Sequence, residues 1–212
     1  MHQFYDARRA RLAEVEPNAA HVALARLDAE WPGGLLIVTQ NVDDLHERAG
    51  AKRLIHMHGE LTRGWCLACG DRFAWEGDMV SMPVGGERSR DTSRGRSTSL
   101  GTNGNVCPSC GSEGHVRPDI VWFGEMPYAM DAIEAALRGC DLFVSIGTSG
   151  AVSPAAGFVQ TAKYVGARTV EINLEPSQGS IFFDERRFGP AGVEVPKWVG
   201  ELLDCTPAKA GA

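Results

Sequence analysis
No apolar run in this chain approaches the ~20 residues that a membrane-spanning helix needs. Residues 1–11 are polar and basic, with no apolar stretch of the kind a signal or transit segment carries, so a cytoplasmic protein is expected. Basic charge is not in excess: 27 acidic against 21 basic side chains give a net charge of −6, which argues against general nucleic-acid binding. No internal repeat is visible. What is present is 212 residues with 43% apolar content, gathered in short Val, Ile and Leu runs, enough for one sizeable domain and a small second one.

Cysteine is sparse but placed with meaning. Four of the six fall in two pairs, Cys66-Leu-Ala-Cys69 and Cys107-Pro-Ser-Cys110. Each C-x-x-C knuckle points two thiolates at one position, and two knuckles complete the tetrahedron that a structural zinc ion takes. A disulfide pair is the competing reading; the absence of a secretory segment and the isolation of Cys140 and Cys205 weigh against it. Four thiolates leave no open coordination position, so the metal is expected to hold a small domain rather than to react.

Helical stretches alternate with short apolar runs. Residues 3–14 are charged and helix-prone. Asn18 can cap a second helix with Val22, Leu24, Ala25 and Leu27 facing inward, stopped at Trp31-Pro32-Gly33-Gly34. The runs at residues 35–39, 142–146 and 169–172 lack alternation, as in strands buried on both faces; residues 52–56 suggest a shorter one. Helices over residues 129–138 and 155–165 precede the later two, and the alternation reads as an open α/β sheet. Residues 85–105 are nearly all Gly, Ser, Thr, Arg and Asn, a flexible excursion between the knuckles. Its Arg88, Arg90, Arg94 and Arg96 could touch phosphate but fit a solvated insert better.

Ligands of open α/β sheets bind beyond the carboxyl ends of the strands. Three polar tips stand there: Gln40-Asn41-Val42-Asp43, Gly147-Thr148-Ser149-Gly150 and Asn173-Leu174-Glu175. Each alone is ordinary turn chemistry; three in one sheet point to a nucleotide-like ligand. The second tip reads either as a strand-to-helix turn capped by Ser149 or as an anion site at a helix N-terminus. His58, in His56-Met57-His58-Gly59-Glu60, can act as a general base near neutral pH. A buried histidine, or metal ligation by His56 and His58 on one strand face, are its alternatives. A zinc ribbon with Trp65, Phe73 and Trp75 also admits a nucleic-acid module, which the acidic whole opposes.

In combination these segments, with Arg117-Pro118-Asp119-Ile120-Val121-Trp122-Phe123-Gly124-Glu125, resemble the sirtuins over nearly the whole chain. Tyr5-x-x-Arg8 further resembles the pair that marks class III, the bacterial NAD-dependent deacylase and desuccinylase type. The resemblance implies a Rossmann-like parallel sheet over residues 1–58 and 119–212 with an inserted small zinc ribbon over residues 59–118. It implies NAD and acyl-lysine proteins or peptides as substrates, meeting between the two domains. His58 matches the catalytic histidine, which takes a proton from a ribose hydroxyl as the acyl group passes to ADP-ribose and nicotinamide is released. Gln40, Asn41, Val42 and Asp43 match the nicotinamide side, with Asn41 and Asp43 also positioning the reacting groups. Gly147, Thr148 and Ser149, with Asn173, Leu174, Glu175 and Ala191, match the adenosine side. Val121 and Phe123 match a strand that pairs with the substrate peptide, and Tyr5 and Arg8 match the clamp on a succinyl or malonyl carboxylate. The family's opening strand and glycine-rich phosphate loop have no counterpart ahead of Gly33, so the sheet is expected to be truncated at its N-terminus. That departure raises a second expectation: an impaired sirtuin-like protein that binds acyl-peptide or a partner without turnover.

Overall fold
The computed structural model describes residues 2–75 and 106–205; the excursion expected at residues 85–105, with its four arginines, lies outside them. In chain order the main elements are α1 (His2–Leu12), α2 (Ala19–Glu30), β1 (Ile37–Thr39), α3 (Leu45–Arg48), β2 (Leu54–His56), β3 (Gly59–Cys66), β4 (Arg72–Ala74), β5 (Val116–Ile120), α4 (Met130–Arg138), β6 (Leu142–Ile146), α5 (Phe158–Tyr164), β7 (Arg168–Asn173), β8 (Glu185–Phe188) and α6 (Ala191–Asp204). They form two compact units: Met1–Val15, Asn41–Asp44 and His58–Glu125 in the first, Glu16–Gln40, Leu45–Met57 and Met126–Ala212 in the second. No helix among the described residues is long and apolar enough to cross a membrane.

The second unit is α/β. Asn18 caps α2 as its residue type suggests: its side chain accepts from Ala20 N–H at 2.9 Å and His21 N–H at 3.3 Å, and His21 reaches back to the Asn18 N–H. The inward face differs from expectation at one position, because Val22 is 54% exposed. The stripe Ala20, Ala23 and Leu27 packs instead with Val195, Trp198 and Val199 of α6. Alanines at that spacing let two helices approach closely, so the fit to α6, rather than hydrophobicity alone, selects the face.

Strands β6, β7 and β8 are parallel and ordered β6-β7-β8. Val170 and Ile172, with Leu142, Val144 and Ile146, pack toward α2 and α6. Phe143 packs on the other side, with Ile133, Leu137 and Ala162 of α4 and α5. The expected single sheet is here two ladders, since β1 pairs in parallel with β2 and no ladder joins β1 to β6 among the described residues. The consequence shows in burial: β7, with two partners, is buried along most of its length, whereas β6, with one, is half-buried throughout. Asp28 of α2 fastens β1 and β2 to the helix layer. Its buried carboxylate accepts from Lys52 N–H at 2.6 Å and from Arg53 Nε at 2.6 Å.

The first unit is a ribbon. β3 lies between β4 and β5, antiparallel to both, with a register shift between Glu60 and Gly64. Its core is small: Cys66, Trp75, Cys107 and Val116, with Phe73 against them. Helix α1 is fastened to it by Arg9, whose Nε donates to the Leu61 carbonyl at 3.0 Å.

Candidate functional site
The two cysteine pairs are brought together. Sγ of Cys66 lies 3.8 Å from that of Cys110, Sγ of Cys69 lies 3.7 Å from that of Cys107, and all four lie within 4.8 Å of one another. A regular tetrahedron of thiolates at the zinc–sulfur distance has edges of about 3.8 Å, so these donors fit such an ion. The knuckles repeat one backbone device. Gly70 N–H donates to the Cys66 carbonyl at 2.8 Å and Gly111 N–H to the Cys107 carbonyl at 2.9 Å, with φ of +79° and +71° at the two glycines. Only glycine adopts that turn without cost, and the Cys-Gly dipeptides at positions 69–70 and 110–111 are a signal that spacing alone overlooks. The thiols perturb one another. A hydrogen bond from Ser112 draws the Cys110 thiol down to about 6. The backbone at Asp71 pulls Cys69 down, but burial and the neighbouring sulfurs outweigh it and push that thiol up to about 12. A divalent cation favours the thiolate at all four.

In the second unit the three strand ends converge on Thr148. Gln40, after β1, donates from Nε2 to Thr148 Oγ1 at 3.4 Å, and Asn173, ending β7, donates from Nδ2 to the Thr148 carbonyl at 2.7 Å. Gly147 N–H donates to the Ile172 carbonyl at 3.0 Å, locking the β6 tip to β7. Ser149 Oγ accepts from Ala151 N–H at 3.4 Å. The reading of residues 147–150 as a strand-to-helix turn capped by Ser149 does not hold, because α5 begins only at Phe158. Leu174 and Glu175 are exposed beyond Asn173. Gly189 N–H donates to the Asn173 carbonyl at 2.9 Å, which sets the start of α6 at Ala191 near the same tip. Beneath the tip, Glu171 is fully buried; burial pushes its carboxyl up, but hydrogen bonds from Ser177 and Ser180 outweigh that and hold it below the usual range.

The first unit carries the other predicted groups. Leu61 N–H donates to the Val42 carbonyl at 2.7 Å, tying the segment with Asn41 and Asp43 to β3. Two residues ahead of Leu61 stands Gly59, with φ +83°, where a Cβ would lie 2.0 Å from the Asp119 carbonyl oxygen. That close approach, and the bond from Val121 N–H to the His58 carbonyl at 2.9 Å, fix the backbone of His58 against β5. His58 does not share a strand face with His56: β2 ends at His56, whose Nε2 lies 2.6 Å from Glu47 Oε1, and Met57-His58 is a turn.

Val121 and Phe123, expected in a strand, lie beyond the end of β5 at Ile120. The chain turns there because Glu125 ties it back: its N–H donates to the Trp122 carbonyl at 2.9 Å, and its carboxylate accepts the Trp122 N–H at 2.8 Å. Phe123 is left fully exposed. Arg117, buried under the turn, donates to both Glu125 oxygens at 2.6 and 3.0 Å, and that guanidinium, with the Trp122 N–H, holds the Glu125 carboxyl below the usual range. In α1, Tyr5 Oη accepts from Trp122 Nε1 at 3.1 Å, and the Arg8 guanidinium sits 5.0 Å over the Phe4 ring. The local pattern around Tyr5 and Arg8 gave no sign of Trp122 or Arg117, which lie more than a hundred positions away.

Parallel strands whose polar tips meet at Thr148, in a chain that also carries a ribbon with four clustered cysteines suited to zinc, define the class as a Rossmann-like α/β protein. Residues 1–154 match the Sir2 family, and the chain belongs to that family. It is 50% identical over 203 residues to an NAD-dependent protein deacylase of Caulobacter vibrioides, covering 94% of this chain and 76% of the relative. Among solved structures it is similar to a mutant Sir2 homologue in complex with 2′-O-acetyl-ADP-ribose, with a TM-score of 0.79, 29% identity and coverage of 99% and 76% of the two chains. It is also similar to a Sir2 homologue in complex with NAD, with a TM-score of 0.76, 31% identity and coverage of 95% and 72%.

Proposed function
We propose that this chain is a class III sirtuin, an NAD-dependent protein lysine deacylase that removes acetyl, succinyl and malonyl groups from proteins or peptides in the cytoplasm. The observation that carries the reading is the junction of three strand tips at Thr148, bonded to Gln40 and Asn173, in a chain half identical to a named deacylase. That identity favours turnover over the alternative of an impaired acyl-peptide binder.

NAD supplies ADP-ribose as the acceptor of the acyl group, and its nicotinamide is the leaving group. Residues 1–58 and 119–212 bind it, and residues 59–118 form the zinc-held ribbon. Gln40, Asn41, Val42 and Asp43 hold its nicotinamide side. Gly147, Thr148 and Ser149 hold the adenosine side, with Asn173, Leu174 and Glu175 at the ribose and the Ala191 backbone near the adenine. Amide and hydroxyl groups at these tips suit ribose hydroxyls, which both donate and accept. His58 accepts a proton from a ribose hydroxyl as general base, with its backbone held by Gly59 and Val121. Asn41 and Asp43 orient the reacting groups on a segment tied to β3 through Val42. Val121 and Phe123 border the acyl-lysine, and the exposed Phe123 ring offers an apolar wall for its methylene stem. Tyr5 and Arg8 take the distal carboxylate of the longer acyl groups. Cys66, Cys69, Cys107 and Cys110 bind structural zinc, and reduced thiolates fit a cytoplasmic setting.

The test follows nicotinamide release by chromatography with NAD and acetyl- or succinyl-lysine peptide. The wild-type protein is expected to release nicotinamide only when an acyl-peptide is present, and His58→Ala to lower the rate at least about a thousandfold. Undiminished release by His58→Ala would remove the general base from this scheme.

A further inference from the structure
We infer that Trp122 is a positioning residue for acyl selection: its indole N–H commits the Tyr5 hydroxyl to donate, and so favours acyl groups that end in a carboxylate. The inference rests on the reading of Tyr5 and Arg8 as the carboxylate clamp and adds the group that sets the polarity of that clamp.

A phenol both donates and accepts, whereas an indole nitrogen only donates. In the bond between Trp122 Nε1 and Tyr5 Oη, at 3.1 Å, the phenol oxygen is therefore the acceptor. The phenolic proton is left to point away from the indole, toward an acceptor elsewhere. A phenol that accepts one hydrogen bond is polarised into a stronger donor of the next. A carboxylate is acceptor-only, and the methyl end of an acetyl group offers nothing to such a proton. The direction of one buried-side bond thus turns an ambivalent residue into a selective one.

Trp122 is well held for this task. Its ring lies face-on to the Arg117 guanidinium, 3.4 Å from ring centroid to Cζ, and its backbone N–H is bound by Glu125. Arg117 is itself only 6% exposed and is fixed by Glu125 and by the Ile120 carbonyl at 2.6 Å. The indole has little freedom to swing, so the Tyr5 hydroxyl is oriented before any peptide arrives, and less ordering remains to be done on binding. The Arg117–Glu125 pair, which a reading confined to stability would leave as a turn staple, thereby lies behind a specificity element.

The test compares succinyl- and acetyl-lysine peptides of one sequence, by affinity from fluorescence anisotropy and by KM and kcat. Six proteins are needed: wild type, Arg8→Met, Trp122→Phe, the protein with Trp122 replaced by benzothienylalanine, which keeps the shape of indole but has sulfur for N–H, Tyr5→Phe, and Tyr5→Phe with that same Trp122 replacement. Loss of the N–H is expected to raise the succinyl-to-acetyl ratio of Kd and of KM about tenfold, with succinyl kcat nearly unchanged. In a Tyr5→Phe background the same replacement is expected to do nothing further, which a purely structural role of Trp122 would not produce. If Arg8→Met raises the succinyl-to-acetyl KM ratio while the sulfur isostere leaves it unmoved, the role of Trp122 is overturned and the clamp stands. If Arg8→Met also leaves the ratio unmoved, the clamp reading fails and this inference fails with it.

Discussion

The ribbon unit and the α/β unit solve the same problem with different materials. In the α/β unit, strands β6 and β7 are covered on both sides, by α2 and α6 on one and by α4 and α5 on the other, and large apolar residues such as Ile172, Val195 and Trp198 are buried there. In the ribbon unit the buried cluster is Cys66, Trp75, Cys107 and Val116, and two of its four members are metal-type ligands. Among the described residues, that cluster offsets little of the conformational entropy of ordering three strands, and a cross-link through the four sulfurs would add to it. The lesson concerns where function is carried. The polar tips of the α/β unit stand at the ends of strands held by two apolar layers, whereas His58 sits in the turn that leads into β3, a strand that begins at Gly59 and ends at Cys66, one of the four clustered cysteines. A metal at the four sulfurs would therefore bear on the geometry of the β3 end that carries Gly59.

The largest effect expected from this contrast is on removal of the metal. Structural zinc in small domains contributes on the order of 10 kcal/mol or more to the folded state. Treatment with a strong chelator, or Cys107→Ser, is expected to speed amide hydrogen exchange in β3 and β5 by at least about a thousandfold, with β7 and α6 changed by less than about tenfold. Equal loss in both units would show that the ribbon is not separately metal-dependent.

A smaller effect belongs to the α/β unit and is set by pH. The Lys163 ammonium, followed by the hydroxyl and backbone N–H of Thr169, holds the Asp184 carboxyl down at about 2, below its ordinary 3.8. A folded-state value below the unfolded one contributes stability that is fully present above the unfolded value and is lost as pH falls through the folded value. The side chain is 45% exposed, so solvent screens the contribution. The denaturant midpoint of the wild type should exceed that of Asp184→Asn at pH 5, and the difference should shrink between pH 4 and pH 2. A difference that persists unchanged to pH 2 would mean that the carboxylate charge is not its source.

Much of this was legible in the sequence because the signals are local. The C-x-x-C pairs, the Asn18 cap and the uniform apolar runs of β6 and β7 each occupy a few adjacent positions, and each produced the element it suggested. The features that escaped depend on partners distant in the chain. Val22 looked like a core residue until α6 chose the alanine stripe beside it. Val121 and Phe123 looked like strand until Glu125, gripped by Arg117, closed a turn on them. Asp28 gave no sign of its pairing with Arg53, nor Tyr5 of Trp122. The split of the parallel strands into two ladders was likewise hidden, because an apolar run declares that a strand is covered and not which strand pairs with it.

The central claim is that the acyl group leaves the lysine by moving onto ADP-ribose. Mass spectrometry of a reaction with NAD and a succinyl-lysine peptide reads this directly. Equal amounts of nicotinamide, free lysine peptide and O-succinyl-ADP-ribose are expected, with one NAD consumed for each lysine released. Deacylated peptide accompanied by free succinate and intact NAD would contradict it.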